Sequence, residues 1–77
     1  MKVKNMKPGD RAVITGYREG SRGYRMNLLA MGLTRGAGIK LIRVAPMGDP
    51  IELEVRGYRL SLRKNEADIL EIEGESR

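Results

Sequence analysis

Residues 51–62 read Ile51-Glu52-Leu53-Glu54-Val55-Arg56-Gly57-Tyr58-Arg59-Leu60-Ser61-Leu62. Ile51, Leu53 and Val55 alternate with Glu52, Glu54 and Arg56. That period of two predicts a strand over 51–56 with one face buried and the other wet. Gly57 marks a tight turn. Tyr58 to Arg63 predicts the next strand, with Leu60 and Leu62 facing inward.

Immediately upstream, Ile39 to Val44 predicts another strand. The two are joined by Arg43-Val44-Ala45-Pro46-Met47-Gly48-Asp49-Pro50-Ile51. Any hairpin can use Gly and Asp, but few need proline at both ends with an apolar Met between them. Further upstream, Met6-Lys7-Pro8-Gly9-Asp10 is a turn in which Pro8 presets φ and Gly9 supplies the free backbone. Ala12 to Tyr17 then reads as a strand, and Glu19 to Gly23 as a polar loop.

Tyr24 to Met31 fits a short helix with Leu28, Leu29 and Met31 on its apolar side. Gly32 stands where such a helix ends in the left-handed conformation. With Gly32 at C′, Leu28 and Leu33 form the apolar pair that accompanies this stop. An internal echo spans the first half. Met6-x-x-Gly9-x-x-Ala12-x-Ile14 matches Leu33-x-x-Gly36-x-x-Ile39-x-Leu41. Each places an apolar anchor before a Gly turn and a strand, so the chain has two equivalent strand starts rather than a duplicated domain.

Downstream, Lys64 to Ala67 forms a single helical or 3-10 turn. Ile69 to Ile72 is the last strand, and residues 73–77 are expected to fray. The sum is a mainly β chain, read as one domain over residues 1–77, with five short strands and one helix between the first and second. Closing the strands into a small barrel avoids two long exposed edges. An SH3-like barrel fits best, and a five-stranded Greek-key barrel of the oligonucleotide-binding type is second.

Composition restricts the chemistry. The 77 residues contain no Cys and no His. Disulfides, thiolate metal sites and the commonest general base are therefore absent. Thr15, Ser21, Thr34, Ser61 and Ser76 have no His partner, so no nucleophile–base set can be drawn and no enzyme is expected. Gly32, Gly36 and Gly38 do not form a dinucleotide or phosphate loop. No signal peptide or apolar run of about 20 residues is present, which points to a cytoplasmic protein.

The net charge of +5 is uneven: residues 1–46 hold ten Lys/Arg against two acids, residues 47–77 five against eight. A basic half could meet nucleic acid, anionic lipid or an acidic protein face. With Tyr17, Tyr24 and Tyr58 as the only aromatics, single-strand stacking and proline-rich peptide binding have a poor platform. Asp49, Glu52, Glu54, Glu66, Asp68, Glu71, Glu73 and Glu75 are oxygen donors suited to weak divalent metal binding. Their alternation along strands is also what solvent exposure produces, so no metal ligand set is assigned. Surface contact remains. Met26 and Met47 are adaptable apolar groups, and Pro46 and Pro50 stiffen the loop and reduce the entropy lost on docking.

The chain resembles the FeoA family of small proteins of ferrous iron uptake. The likeness runs from Met6-Lys7-Pro8-Gly9 through Tyr24-Arg25 and Leu28-Leu29-Ala30-Met31-Gly32-Leu33 to the 43–51 loop, which matches most specifically. Gly57-Tyr58-Arg59-Leu60-Ser61-Leu62-Arg63-Lys64 and Glu66-Ala67 complete it. Asn27 departs where the family often carries a basic residue, and Met31 and Met47 replace Leu, which conserves apolar volume. The resemblance implies an SH3-like barrel without catalysis. It also implies a cytoplasmic partner of FeoB, the ferrous iron permease with a GTPase region, reaching the membrane only through that partner. Contact between copies of the chain and a metal-binding module like that of metal-dependent repressors are the further expectations, with nucleic acid disfavoured. The expected contact residues are Met26, Leu29, Pro46, Met47, Asp49 and Pro50, and the expected turn glycines are Gly9, Gly32, Gly36 and Gly57.

Overall fold

The computed structural model describes residues 1–74. It contains strands β1 (Arg11–Tyr17), β2 (Gly38–Val44), β3 (Ile51–Val55), β4 (Tyr58–Leu62) and β5 (Leu70–Gly74), and helices α1 (Arg22–Ala30) and α2 (Lys64–Ala67). The alternation at 51–62 becomes a hairpin with Ile51 opposite Leu62, Leu53 opposite Leu60 and Val55 opposite Tyr58. Its two-residue turn has positive φ at both Arg56 (51°) and Gly57 (83°). That combination matches the twist of the flanking strands.

All five strands form one antiparallel sheet in the order β4-β3-β2-β1-β5. Strands β2 to β4 follow as a meander, and the last strand returns to lie beside the first. This is the expected SH3-like arrangement rather than a Greek key. Ala12, Ile14, Ile39, Leu41, Leu53, Val55, Leu62, Leu70 and Ile72 bury their side chains in the enclosed core. Leu28, Leu33 and Ala67 close its ends.

The sequence echo is a physical near-symmetry. The Gly9 N–H donates to the Leu41 carbonyl at 2.8 Å, and the Gly36 N–H to the Ile14 carbonyl at 2.7 Å. The Leu41 N–H donates to the Asp10 carbonyl, and the Ile14 N–H to the Ala37 carbonyl, both at 3.0 Å. Each turn also closes on itself, Asp10 to Lys7 and Ala37 to Thr34. Ala12 pairs with Ile39 at the centre. Both strands then bulge at the equivalent place: the register shifts between Ile14 and Gly16 on β1 and between Leu41 and Arg43 on β2. A bulge bends and twists its strand, so β1 and β2 bend at matching positions.

Helix α1 stops as its sequence requires. The Leu33 N–H reaches the Leu28 carbonyl and the Gly32 N–H the Leu29 carbonyl, each at 3.0 Å, with Gly32 at φ +88°. Leu28 and Leu33 are both fully buried. The β3–β4 turn clasps this end. Tyr58 Oη donates to the Met31 carbonyl. Arg56 Nε donates to the Gly32 carbonyl at 3.2 Å, and Nη2 to Thr34 Oγ1 at 2.6 Å. A cation at a helix C-terminus also complements the helix dipole.

The structure corrects several boundaries. Helix α1 begins at Arg22, two residues before the expected Tyr24, because the buried Ser21 donates to the Arg18 carbonyl and accepts, through its own carbonyl, the Arg25 N–H. The sheet keeps Glu73 and Gly74, expected to fray, because they pair with Val13 and Ala12. The rest of that expected tail, 75–77, lies outside the described residues. Ile69 precedes the last strand rather than opening it. A 3-10 turn at Val3–Asn5 was not expected. It buries Val3, and Lys2 beside it reaches Glu71 Oε2 at 2.8 Å and the Asp68 carbonyl at 3.1 Å.

Gly32→Val should cost about 1–2 kcal/mol from the left-handed backbone alone. The added Cβ would also meet Tyr58 Oη at 2.9 Å. Chemical denaturation reads this, and a variant as stable as the parent contradicts the helix stop. A second expectation concerns pH. The Lys2 ammonium, hydrogen-bonded to Glu71, holds its carboxyl below the ordinary value. A depressed folded pKa stabilises above the unfolded value and is lost as pH falls through the folded one. The small stability difference between the parent and Glu71→Gln should therefore shrink as pH falls from neutral through the carboxylate range. Urea midpoints measured across that range check it.

Candidate functional site

The loop between β2 and β3 is built as a rigid tip. Gly48 N–H donates to the Ala45 carbonyl at 2.7 Å, closing a turn with Pro46 at its second position and Met47 at its third. Pro46 has the φ that position needs, and Gly48 follows at φ +87°. Ala45 N–H donates to the Pro50 carbonyl at 3.1 Å, which seals the base. Met47 is 91% exposed, and Pro46, Asp49 and Pro50 are also exposed.

The Asp49 carboxylate has a partner within the chain. Its Oδ1 accepts the backbone N–H of Lys64 at 3.1 Å. That N–H belongs to the first turn of α2, where no helical carbonyl can reach it. The neighbouring Asn65 donates from Nδ2 to Tyr24 Oη on α1 at 3.4 Å. Adjacent residues of α2 thus tie the loop on one side and α1 on the other.

Helix α1 is thinly anchored. Leu28 is its one fully buried side chain. Met26 is 68% exposed and Leu29 41% exposed. They lie three residues apart and so share a helix face. Leu29, expected on the apolar side, is turned largely outward. Arg25 sits over the Tyr17 ring with its guanidinium carbon 5.4 Å from the centroid. The structure thus ties the loop and α1 to α2, with Asp49 serving as an anchor and Pro50 accepting the Ala45 N–H at the loop base, while the side chains of the four other expected contact residues, Met26, Leu29, Pro46 and Met47, are exposed.

A groove of about 190 Å³ lies next to the loop. Val3, Met6, Leu41, Val44 and Ile51 give it apolar walls, and Lys4 and Lys64 add two cations. Val3 and Lys4 were not singled out from sequence. The one signal was Val3, a lone apolar residue in an otherwise polar stretch.

The carboxylates expected as oxygen donors do not converge. Among the described residues, no three His, Cys, Asp or Glu side chains gather as a metal site. Asp49 binds Lys64, Glu66 Oε1 accepts the Arg63 N–H at 2.8 Å, and Glu71 pairs with Lys2. Glu75 is outside the described residues. The tyrosine hydroxyls are engaged as well: Tyr17 donates to the Leu33 carbonyl at 2.6 Å, Tyr58 to Met31, and Tyr24 accepts from Asn65. No helix of the described residues is long and apolar enough to cross a membrane.

The FeoA domain model matches residues 1–74. Over 73 residues the chain is 34% identical to a Fe(2+) transport protein A/Fe(2+) transporter FeoB fusion protein of Porphyromonas gingivalis. That match covers 95% of this chain and 8% of the relative, so the chain spans a small part of that protein. A FeoA-like protein from Clostridium acetobutylicum, solved by NMR, superposes with a TM-score of 0.89 at 35% identity, covering 100% of this chain and 88% of that one. Stenotrophomonas maltophilia FeoA, described as a prokaryotic SH3-domain protein and complexed with zinc, superposes at 0.80 with 20% identity, covering 95% and 89%. That last likeness concerns the fold alone.

Asp49→Ala should lower stability by about 1 kcal/mol, comparable with removing a helix N-cap side chain. Asp49→Asn, which keeps a carbonyl acceptor, should lose less. Denaturant melts of both variants test the tie, and an unchanged Ala variant removes it.

Proposed function

This chain belongs to the FeoA family, and we propose that it serves ferrous iron transport as a non-enzymatic cytoplasmic accessory that docks on a FeoB-type permease. The observation that carries the reading is Met47, a large apolar side chain held almost wholly in solvent at the tip of a proline-braced loop. Exposing such a group has no benefit for folding, whereas burying it against a partner removes apolar surface from water. The loop is already ordered by its own hydrogen bonds, so docking loses little entropy. Met26 and Leu29 on α1 are further exposed apolar groups.

The Porphyromonas gingivalis relative supports the choice of partner. In that protein a FeoA region and a FeoB transporter share one chain. Fusion fixes two modules at high effective concentration, which suits parts that meet in function. The composition supports a non-enzymatic role, since a chain without His or Cys lacks the usual acid–base and nucleophilic groups.

The direct test is binding of this chain to the cytoplasmic region of a cognate FeoB, measured by calorimetry with and without a GTP analogue. Met47→Glu should weaken binding by about tenfold or more, the usual scale for losing an apolar anchor, while its thermal melt stays at the parent value. Unaltered affinity would sink the loop as the docking element. No measurable binding by the parent in either nucleotide state would sink the partner itself.

A further inference from the structure

We propose that the outer face of the sheet carries a phosphate-binding site formed by Arg11, Lys40 and Arg56. It is separate from the docking loop and does not depend on the reading above. Arg11 on β1 stands directly opposite Lys40 on β2. Like charges in that position repel each other. Lys40 faces Glu54 on β3, and Glu54 faces Arg59 on β4. Glu54 does not close an ion pair with either neighbour: among the described residues the salt bridge within 4.0 Å is Lys2–Glu71. The row therefore carries three cations and one carboxylate without direct neutralisation.

Arg11, Lys40, Glu54 and Arg56 line one groove of about 190 Å³ together with Gly38 and Gly57. That space holds a phosphate group and several waters, each of which occupies about 30 Å³. Nothing lies within 4 Å of the point where a Cβ would stand on either glycine, so a ligand can approach the backbone there. Arg56 is preorganised. Its Nε and Nη2 are held by the Gly32 carbonyl and Thr34 Oγ1, which fixes the side chain beside the groove it lines. A guanidinium fixed in this way loses little freedom on binding an oxyanion. A bound phosphate would also relieve the Arg11–Lys40 repulsion, which a neutral ligand could not do. Glu54 opposes the anion and sets an upper limit on its affinity.

The phosphate could belong to a soluble phosphate compound or to an anionic lipid headgroup, and two arms separate them. In the first, amide shifts are followed by NMR as pyrophosphate is added at constant ionic strength. The amides of Gly38, Lys40 and Gly57 should shift together and saturate. Lys40→Gln should weaken the apparent affinity about tenfold, as expected for losing a charge-assisted hydrogen bond. Glu54→Gln should tighten it, and Arg22→Gln on α1 should leave it unchanged. In the second, the chain is sedimented with phosphatidylglycerol or phosphatidylcholine vesicles. Retention on the anionic vesicles alone, lost in Lys40→Gln, assigns the headgroup. Arg11→Gln serves as the second variant if Lys40→Gln melts below the parent. The proposal fails if neither arm responds to these substitutions, including the case in which shifts grow linearly and spread over all the basic residues.

Discussion

Four backbone hydrogen bonds between two glycine turns and the strands they face hold the centre of this molecule. Gly9 and Asp10 engage Leu41, and Gly36 and Ala37 engage Ile14, in a reciprocal arrangement around the Ala12–Ile39 pair. Left-handed φ at Gly9 and Gly36 (95° and 88°) lets the chain turn sharply enough to deliver each N–H to the opposite strand. The remaining strands depend on this pair: β5 adds to β1, and the β3–β4 hairpin adds to β2. Both bulges fall at equivalent places, each on the side of its strand that carries a wing.

That economy leaves little apolar surface for the helices. Helix α1 commits Leu28 to the interior and relies on polar fastening elsewhere, from Arg56, Tyr58 and Asn65. Its other apolar residues are consequently free. The same holds for the β2–β3 loop, which is secured by its own turn and by Asp49 rather than by packing Met47. The exposed apolar groups thus sit on a frame held in place by polar contacts.

Legibility in the sequence followed the range of the forces involved. Strands 39–44 and 51–62 were readable because alternation is a local pattern enforced by burial on one face. The helix stop at Gly32 was readable because its geometry needs a particular residue within a few positions. The echo of Met6–Ile14 in Leu33–Leu41 was visible as spacing, although only the structure shows the two copies bonded to each other. Boundaries failed where a distant partner decided them. Gly74 looks like a tail residue until Ala12 is seen opposite it. The 3-10 turn at Val3 is too short to carry a period. Its place in the loop groups Asp49 with the contact residues, and its bond to Lys64, 15 residues away, has no local signature. By alternation alone Arg56 reads as a strand end. Its positive φ and its hold on α1 come from a turn that usually takes Asn or Gly.

The placement of α1 and the 45–50 loop between strands, rather than within them, bears on how such a protein can change over generations. Connections tolerate substitution and altered length far better than paired strands, since closing a longer loop adds entropy cost only slowly. A lineage could therefore redraw the exposed side chains on these two connections without disturbing the reciprocal glycine turns. The exposed side chains of these two connections can therefore drift at a rate of their own, apart from the paired strands and from Leu28, which α1 commits to the core.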